Sequence, residues 1–412
     1  MKSILLYISI FITAVTNAQT NNAIVIGKAD TVYSTILKEN RKIWVHMPDT
    51  TSPDGIFAKQ HYPVVYLLDG DEMNFATVAS MIQQAGGGGG NISFPQMIIV
   101  GIPNTDRTRD LTPTHVNSAP MMDSMSAAHS GGGENFISFM KNELIPHIDS
   151  LYPTAPYRLI IGHSFGGLMA IHTLINYPGL FNAYVAIDPS MFWDNQKLLK
   201  QSKTVLTKNK FEDRSLFLAV ANTMDKGMDT LKVKNDTNMM SLHIRSILQL
   251  GHSLDANKQN GLDFTWKYYP EYDHGSVPLI AEYDAMRSIF SFYNFSFPFG
   301  EFFNPAFKGD TIITAHYKTI SMKMGYRVSP PEQLLNVLGY QLMGSKQFNR
   351  AVYFFKMNID NYPESFNAFD SMGDLYDAMG DKQKAIDFYS KALALRDFPD
   401  TRNKLEQLKQ RK

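Results

Sequence analysis

The chain has 412 residues, with 39 Lys and Arg against 39 Asp and Glu, 11 His and no Cys. Zero net charge and the lack of a long basic run argue against nucleic acid as the main partner, because phosphate neutralisation needs clustered cations. The missing cysteine excludes disulfides, thiolate nucleophiles, Cys-based zinc or iron–sulfur sites and an N-terminal lipid-modified cysteine.

Lys2, the mostly apolar run Ile4 to Val15 and the small-residue stretch Thr16-Asn17-Ala18 read as a signal peptide over residues 1–18, cleaved before Gln19. The run is short for a membrane span, and a short N-terminal anchor is the alternative. No other stretch approaches 18 apolar residues. The expectation is an exported chain, periplasmic or secreted, with no membrane span after cleavage.

Short apolar runs then alternate with helical patterns. Lys42–Met47 alternates and stops at Pro48, as a strand does. Val64–Leu68, closed by Asp69-Gly70, is a buried strand meeting a turn, and Met97–Val100, Arg158–Ile161, Ala183–Ile187 and Leu216–Val220 have the same character. Phe264–Tyr269 is a further strand. Phe136, Phe139, Met140, Leu144 and Ile148 share a helical face that Pro146 should kink or restart. Gly166–Tyr177 is a second helix, and Gly86–Gly90, five consecutive glycines, should form a mobile loop. This alternation predicts a doubly wound, mostly parallel α/β sheet over residues 19–300.

Beyond about Gly300 the strand runs stop. Gly339 matches Gly373, Ala351 matches Ala385 and Phe355 matches Tyr389, all at an offset of 34 residues. Small and aromatic positions at that period predict an all-α, tetratricopeptide-like repeat domain over 301–412, with a concave face suited to a protein or peptide partner.

The chemistry centres on Gly162-His163-Ser164-Phe165-Gly166-Gly167, which follows an apolar strand and opens an apolar helix. This is G-x-S-x-G in the strand–turn–helix setting of a nucleophile elbow, with Ser164 as nucleophile. A serine hydroxyl needs a base, and in this architecture the order is Ser, acid, His. His274 follows the last strand and fits the base; His252 precedes that strand. His115, His147 and His163 read as structural or surface groups. The acid should follow Leu216–Val220, which selects Asp225, with Asp229 and Asp188 as alternatives. The oxyanion needs two N–H donors, assigned to the backbone of Phe165 and of Asp71. There is no H-E-x-x-H pair, so neither a metal nor another cofactor is expected.

These residues resemble the esterase D/enterochelin-esterase-like branch of the α/β-hydrolases, which also holds feruloyl esterases and mycolyltransferases. The resemblance covers roughly residues 30–300. It rests on Ile36–Ile43 (the first strand pair), Tyr66–Gly70 (the oxyanion loop), Gly132–Phe136 with Glu143–Pro146, Gly162–Gly167, and Asp273-His274-Gly275-Ser276. It implies Ser164 as nucleophile, His274 as base and the Asp71 and Phe165 amides as oxyanion donors. Relatives often carry Gly then Asp or Glu where this chain has Ala221–Asp225, and read Ser-Pro-Ser where it has Asp188-Pro189-Ser190, which keeps Asp188 open as the acid. Siderophore esterases of this branch similarly place basic residues near the site, so Arg107 and Arg109 are candidates to hold substrate, and Trp193 is a candidate aromatic wall.

The leading functional expectation is a serine esterase cleaving a small-molecule carboxylic ester (siderophore, feruloyl or acetyl-sugar) through an acyl-enzyme. The alternatives are an acyltransferase or peptidase with the same triad, or an inert hydrolase-like protein acting through its repeats. All candidate catalytic groups precede residue 275, so a chain ending near Gly300 is expected to keep small-ester activity.

Overall fold

The computed structural model describes residues 24–48, 56–58, 60–86, 93–118, 122–295 and 298–411. The expected signal peptide and four glycines of the 86–90 run lie outside the described residues.

Each apolar run read above is a strand of one eight-stranded sheet. Its strands are β1 (Lys28–Ser34), β2 (Glu39–His46), β3 (Tyr62–Leu68), β4 (Ile98–Ile102), β5 (Thr154–His163), β6 (Ala183–Ile187), β7 (Ser215–Ala221) and β8 (Asp263–Tyr269). The order across the sheet is β1-β2-β4-β3-β5-β6-β7-β8. β1/β2 and β2/β4 pair antiparallel, and every other neighbouring pair is parallel. β1 escapes a search for apolar runs because it is an edge strand that buries only Val32 and Ser34.

The helices are α1 (Glu72–Ala85), α2 (Arg107–Asp110), α3 (Ser124–Ala128), α4 (Gly133–Phe139), α5 (Ile145–Leu151), α6 (Phe165–Asn176), α7 (Trp193–Lys208), α8 (Leu242–Asp255) and α9 (Val277–Ile289), followed by α10 (Gly309–Met324), α11 (Glu332–Gly344), α12 (Phe348–Asn361), α13 (Phe366–Ala378), α14 (Lys382–Leu395) and α15 (Pro399–Gln410). Strand side chains alternate between faces. Val64, Tyr66 and Leu68 of β3 join a core with α4–α8, whereas Val65 and Leu67 join one with α1 and α9. Pro146 acts through a wide turn: Met140–Leu144 is π-helical, with the Ile145 amide bonded to the Met140 carbonyl, and joins α4 to α5. A π-turn inside an α-helix is a recognised source of a kink.

The 34-residue offset is also a spatial repeat of helix pairs. A Cβ on Gly339 would sit 2.6 Å from the Phe355 ring, and one on Gly373 would sit 2.6 Å from the Tyr389 ring. Only glycine admits so close a crossing. The helical region does not stand apart. Ile313, Tyr317 and Ile320 of α10, with Leu335, Leu338 and Leu342 of α11, belong to the same buried core as Val65, Ile99 and Phe217 of the sheet. The buried Glu332 of α11 also accepts a hydrogen bond from the Ala58 amide, at 2.7 Å, from the segment before β3. A chain cut near Gly300 would expose this core, so the expectation that it keeps small-ester activity lacks structural support. A cavity of about 430 Å³ lies on this seam, beside Tyr62, Tyr293, Tyr317, Tyr326 and Tyr362. It opens near the beginnings of β3 and β5, at the opposite sheet edge from Ser164.

Glu282 of α9 is 2% exposed, and no hydrogen bond or ion pair reaches its side chain among the described residues. Burial pushes its carboxyl up from 4.5 to about 8. A folded pKa above the unfolded one gives stability that is complete below about pH 4.5 and lost as pH rises through about 8. Glu282→Gln should therefore raise the melting temperature at pH 8.5 and leave it nearly unchanged at pH 4.5, by roughly 2–4 °C per kcal/mol relieved. Melting curves at the two pH values check this, and equal shifts at both would refute it.

Candidate active site

β5 ends at His163 and α6 begins at Phe165, so Ser164 occupies the turn between them. Its backbone takes φ 58° and ψ −112°, a strained combination for a residue with a side chain. The flanking glycines make that turn possible. A Cβ on Gly162 would lie 2.2 Å from the Gly166 carbonyl carbon, and one on Gly166 would lie 3.2 Å from the Asp69 carboxylate. The Ser164 amide donates to the Ile187 carbonyl at 2.9 Å, and the Ser190 amide donates to the Ser164 carbonyl at 3.1 Å. The elbow is thus tied to the loop after β6. The Ser164 Oγ lies 3.2 Å from the Ser190 Oγ.

Asp188 opens that same loop. It is fully buried and has a positive φ of 42°. Its Oδ1 accepts the Ala221 amide at 2.9 Å. Its Oδ2 accepts two imidazoles, His274 through Nδ1 at 2.6 Å and His243 through Nε2 at 2.7 Å. Burial alone would raise the Asp188 pKa. The hydrogen bonds from His243 and His274 and that from the Ala221 amide outweigh it and hold the carboxyl well below the usual range. With Nδ1 on the carboxylate, the opposite nitrogen of His274 is left to act as a base. The His274 ring also packs on His163, with ring centroids 4.4 Å apart. His163 is held down to about 4, first by burial and then by repulsion from a protonated His274 ring, so it is neutral near pH 7.

Asp225 is not the partner of His274. Its side chain is exposed on the loop after β7, while the buried Asp188 makes the bond. Asp229 is also exposed and caps the turn at Leu231 and Lys232. The reason is distance through the fold: β6 neighbours β5 directly, so the residue ending β6 lies beside the elbow. His252 is exposed and packs edge-on to Trp266.

Two further assignments change. Arg109 is held by Glu39, at 2.6 and 3.1 Å, and by Asp110 at 2.7 Å. Asp110 also binds the buried Arg41, so this cluster clamps α2 to β2 and does not present Arg109 to a substrate. Arg107 is the arginine at the elbow. It pairs with Asp69 at 2.7 Å and lies 5.2 Å from the Phe165 ring centroid. Trp193 is 2% exposed, packs edge-on to Phe165 and donates its indole N–H to the Thr114 carbonyl at 3.0 Å, so it supports the elbow from below and is no open wall.

Of the two expected oxyanion donors, Phe165 is the first residue of α6, where the helix provides no acceptor for its N–H. The Asp71 amide is already bonded to the Asp69 carbonyl at 2.9 Å, and the Asp71 side chain caps α1.

His243 and Ser190 did not emerge from the sequence. The Asp188-Pro189-Ser190 tripeptide was a signal for Ser190, but His243 sits in an ordinary amphipathic helix start with no motif around it. Donor atoms of Asp188, His243 and His274 lie within 4.8 Å of one another, a spacing that could hold a metal ion. Here the two rings meet the carboxylate at hydrogen-bond length, so these donors are engaged in sharing protons.

The parallel sheet, the crossover helices and a strained serine at the end of a central strand define an α/β-hydrolase. The chain belongs to an esterase family: the model described as "Putative esterase" matches residues 34–243. It is similar to an IroE-like serine hydrolase from Shewanella oneidensis, with 31% identity and a TM-score of 0.67, covering 81% of this chain and 98% of that one. It is 29% identical over 218 residues to the ferri-bacillibactin esterase BesA of Bacillus subtilis, covering 50% of this chain and 73% of that protein. It is 28% identical over 179 residues to a siderophore enterobactin esterase of Emericella nidulans, covering 40% of this chain and 58% of that protein. The protein is a hydrolase of the ester-cleaving class.

If Asp188 orients His274, Asp188→Asn should lower kcat on a p-nitrophenyl ester by roughly 10⁴, as in a serine protease triad. Asp225→Asn, a surface change, should stay within about twofold. The reverse ranking in steady-state kinetics would return the role to Asp225.

Proposed function

We propose that the protein is an exported serine esterase that cleaves carboxylic esters through an acyl-enzyme on Ser164. The observation that carries this reading is the His274–Asp188 hydrogen bond beside the strained Ser164 elbow. His274 Nε2 takes the Ser164 proton as the oxygen attacks the ester carbonyl, and later returns it to the leaving alcohol. Before attack the hydroxyl turns from Ser190 towards His274. Asp188 keeps the proton on His274 Nδ1 and stabilises the imidazolium. The Phe165 N–H, at the positive end of α6, donates to the oxyanion. Water then attacks the acyl-enzyme by the same steps in reverse roles.

A siderophore-type ester is the favoured substrate, supported by the names of the two curated relatives. The approach to the site also suits a large ligand. The 222–241 loop leaves β7 at the same sheet edge as Ser164 and exposes Leu231, Met239 and Met240, flexible apolar side chains that can adapt to a bulky group. Export rests on residues 1–18, and no helix among the described residues is long and apolar enough to cross a membrane. The paired helices of residues 301–412 are read as tetratricopeptide-like, a surface for a peptide or protein.

The test is fluorophosphonate labelling followed by a panel of siderophore, feruloyl and acetyl-sugar esters. Label should fall on Ser164, and Ser164→Ala or His274→Ala should lose turnover, by up to about 10⁶ in kcat, while remaining folded. Near-full activity in either purified variant would end this reading. A preference for feruloyl or sugar esters would keep the mechanism and replace the substrate.

A further inference from the structure

We propose that His243 is a positioning residue that holds the Asp188 carboxylate in register and limits how strongly it pulls on His274. The inference rests on the serine-esterase reading of the same site and adds a fourth member to it.

A carboxylate oxygen offers two lone-pair sites, and both sites of Asp188 Oδ2 are taken by imidazole nitrogens. The two rings stand edge to face, with centroids 5.1 Å apart and an interplanar angle of 85°. They are not equivalent. The His274 side chain is 41% exposed and that of His243 is 8% exposed. The His243 Nδ1 is buried with no hydrogen-bond partner, and Phe192 packs against the ring at 5.5 Å. A proton on that nitrogen would be a buried orphan donor, so the ring is the neutral tautomer with its proton on Nε2. It therefore cannot relay a proton to bulk water, and its work is confined to the hydrogen bond it donates.

The fold fixes His243 firmly for that work. Gln196 Nε2 donates to Ser246 Oγ at 2.7 Å, one turn along α8 from His243. Gln196 closes a run of three left-handed residues, Asp194, Asn195 and Gln196, with φ of 47°, 51° and 61°. Asp and Asn visit the left-handed region only singly and Gln rarely, so a run of three is strained, and this turn ties α7 to the start of α8.

The chemical consequence follows from charge sharing. With two neutral donors on one oxygen, the negative charge of Asp188 is partly satisfied before His274 becomes an imidazolium. If His243 is replaced by leucine, Oδ2 of the buried carboxylate leans on His274 alone, with only the Ala221 amide left on Oδ1. The protonated form of His274 is then favoured, and the base form that turnover needs appears at higher pH. The other groups facing His274 are His163 against its ring and Asp273 beside it in the chain, with the Asp69–Arg107 pair acting on His163. All of these are unchanged by the substitution.

The test compares His243→Leu, His243→Gln and His243→Asn in the full chain. A Gln amide can reach the place of Nε2, whereas an Asn amide stops near Nδ1. The readouts are the pH profile of kcat/KM on p-nitrophenyl acetate and the rate of fluorophosphonate labelling of Ser164. For His243→Leu the expected result is a loss of roughly 10–100-fold near pH 7, by analogy with the loss of an outer hydrogen-bond partner around metal-bound histidines. The acidic limb should move to higher pH. His243→Gln should recover most of the rate and the original limb, and His243→Asn should resemble His243→Leu. If His243→Leu does not fold, the Gln and Asn pair carries the comparison alone. Unchanged profiles in folded variants would overturn the proposal, as would equal losses in the Gln and Asn variants with no shift of the limb. If the unaltered protein shows no labelling of Ser164, the esterase reading has failed, and that result is distinct from a failure here.

Discussion

A charged carboxylate with no solvent contact is tolerated only when its lone pairs are filled, and Asp188 meets that demand by drawing on three separate elements. The Ala221 amide comes from the end of β7, His243 from the first turn of α8, and His274 from the loop after β8. Satisfying one side chain therefore fixes the whole edge of the sheet on which Ser164 sits. The loop that carries Asp188 also supplies Ser190 to the elbow, so Asp188 and Ser164 share a scaffold.

The elbow is the second constraint. Its strain at Ser164 is held by backbone bonds to β6 on one side and by the aromatic stack of Phe165 on Trp193 beneath it. Around it the charged groups are used largely as clamps. Arg41, Glu39, Arg109 and Asp110 bind α2 to β2, and Arg107 with Asp69 braces the turn after β3.

The helical region is coupled to this scaffold through packing on the opposite edge of the molecule. Its first helices bury side chains against the face of the sheet that α1 and α9 also cover, so their removal is a core change and not the loss of an appendage. Two helix pairs would be marginal as a free array. Sharing a core with the sheet removes that difficulty.

The sequence by itself determined the parts of this protein that depend on local spacing. Continuous apolar runs identify five of the eight strands, because burial on both faces leaves no polar alternation, and the segments Lys42–Met47 and Phe264–Tyr269 identify two more. Gly162-His163-Ser164-Phe165-Gly166 identifies the elbow, because a Cβ at Gly162 would fall 2.2 Å from the Gly166 carbonyl. The glycine and aromatic positions repeating every 34 residues mark the helix pairs for the same steric reason. Only the tertiary structure decided the partnerships. β1 was hidden because an edge strand needs few apolar residues. Asp188, not Asp225, reaches His274 because sheet order places β6 beside β5, and order across a sheet is not written in order along the chain. His243 was invisible because its role is a hydrogen bond to a residue 55 positions away, and nothing in the neighbouring residues changes to announce it. Arg109 and Trp193 looked available for substrate because a sequence shows that a side chain is charged or aromatic, but not which other group in the folded chain has already claimed it.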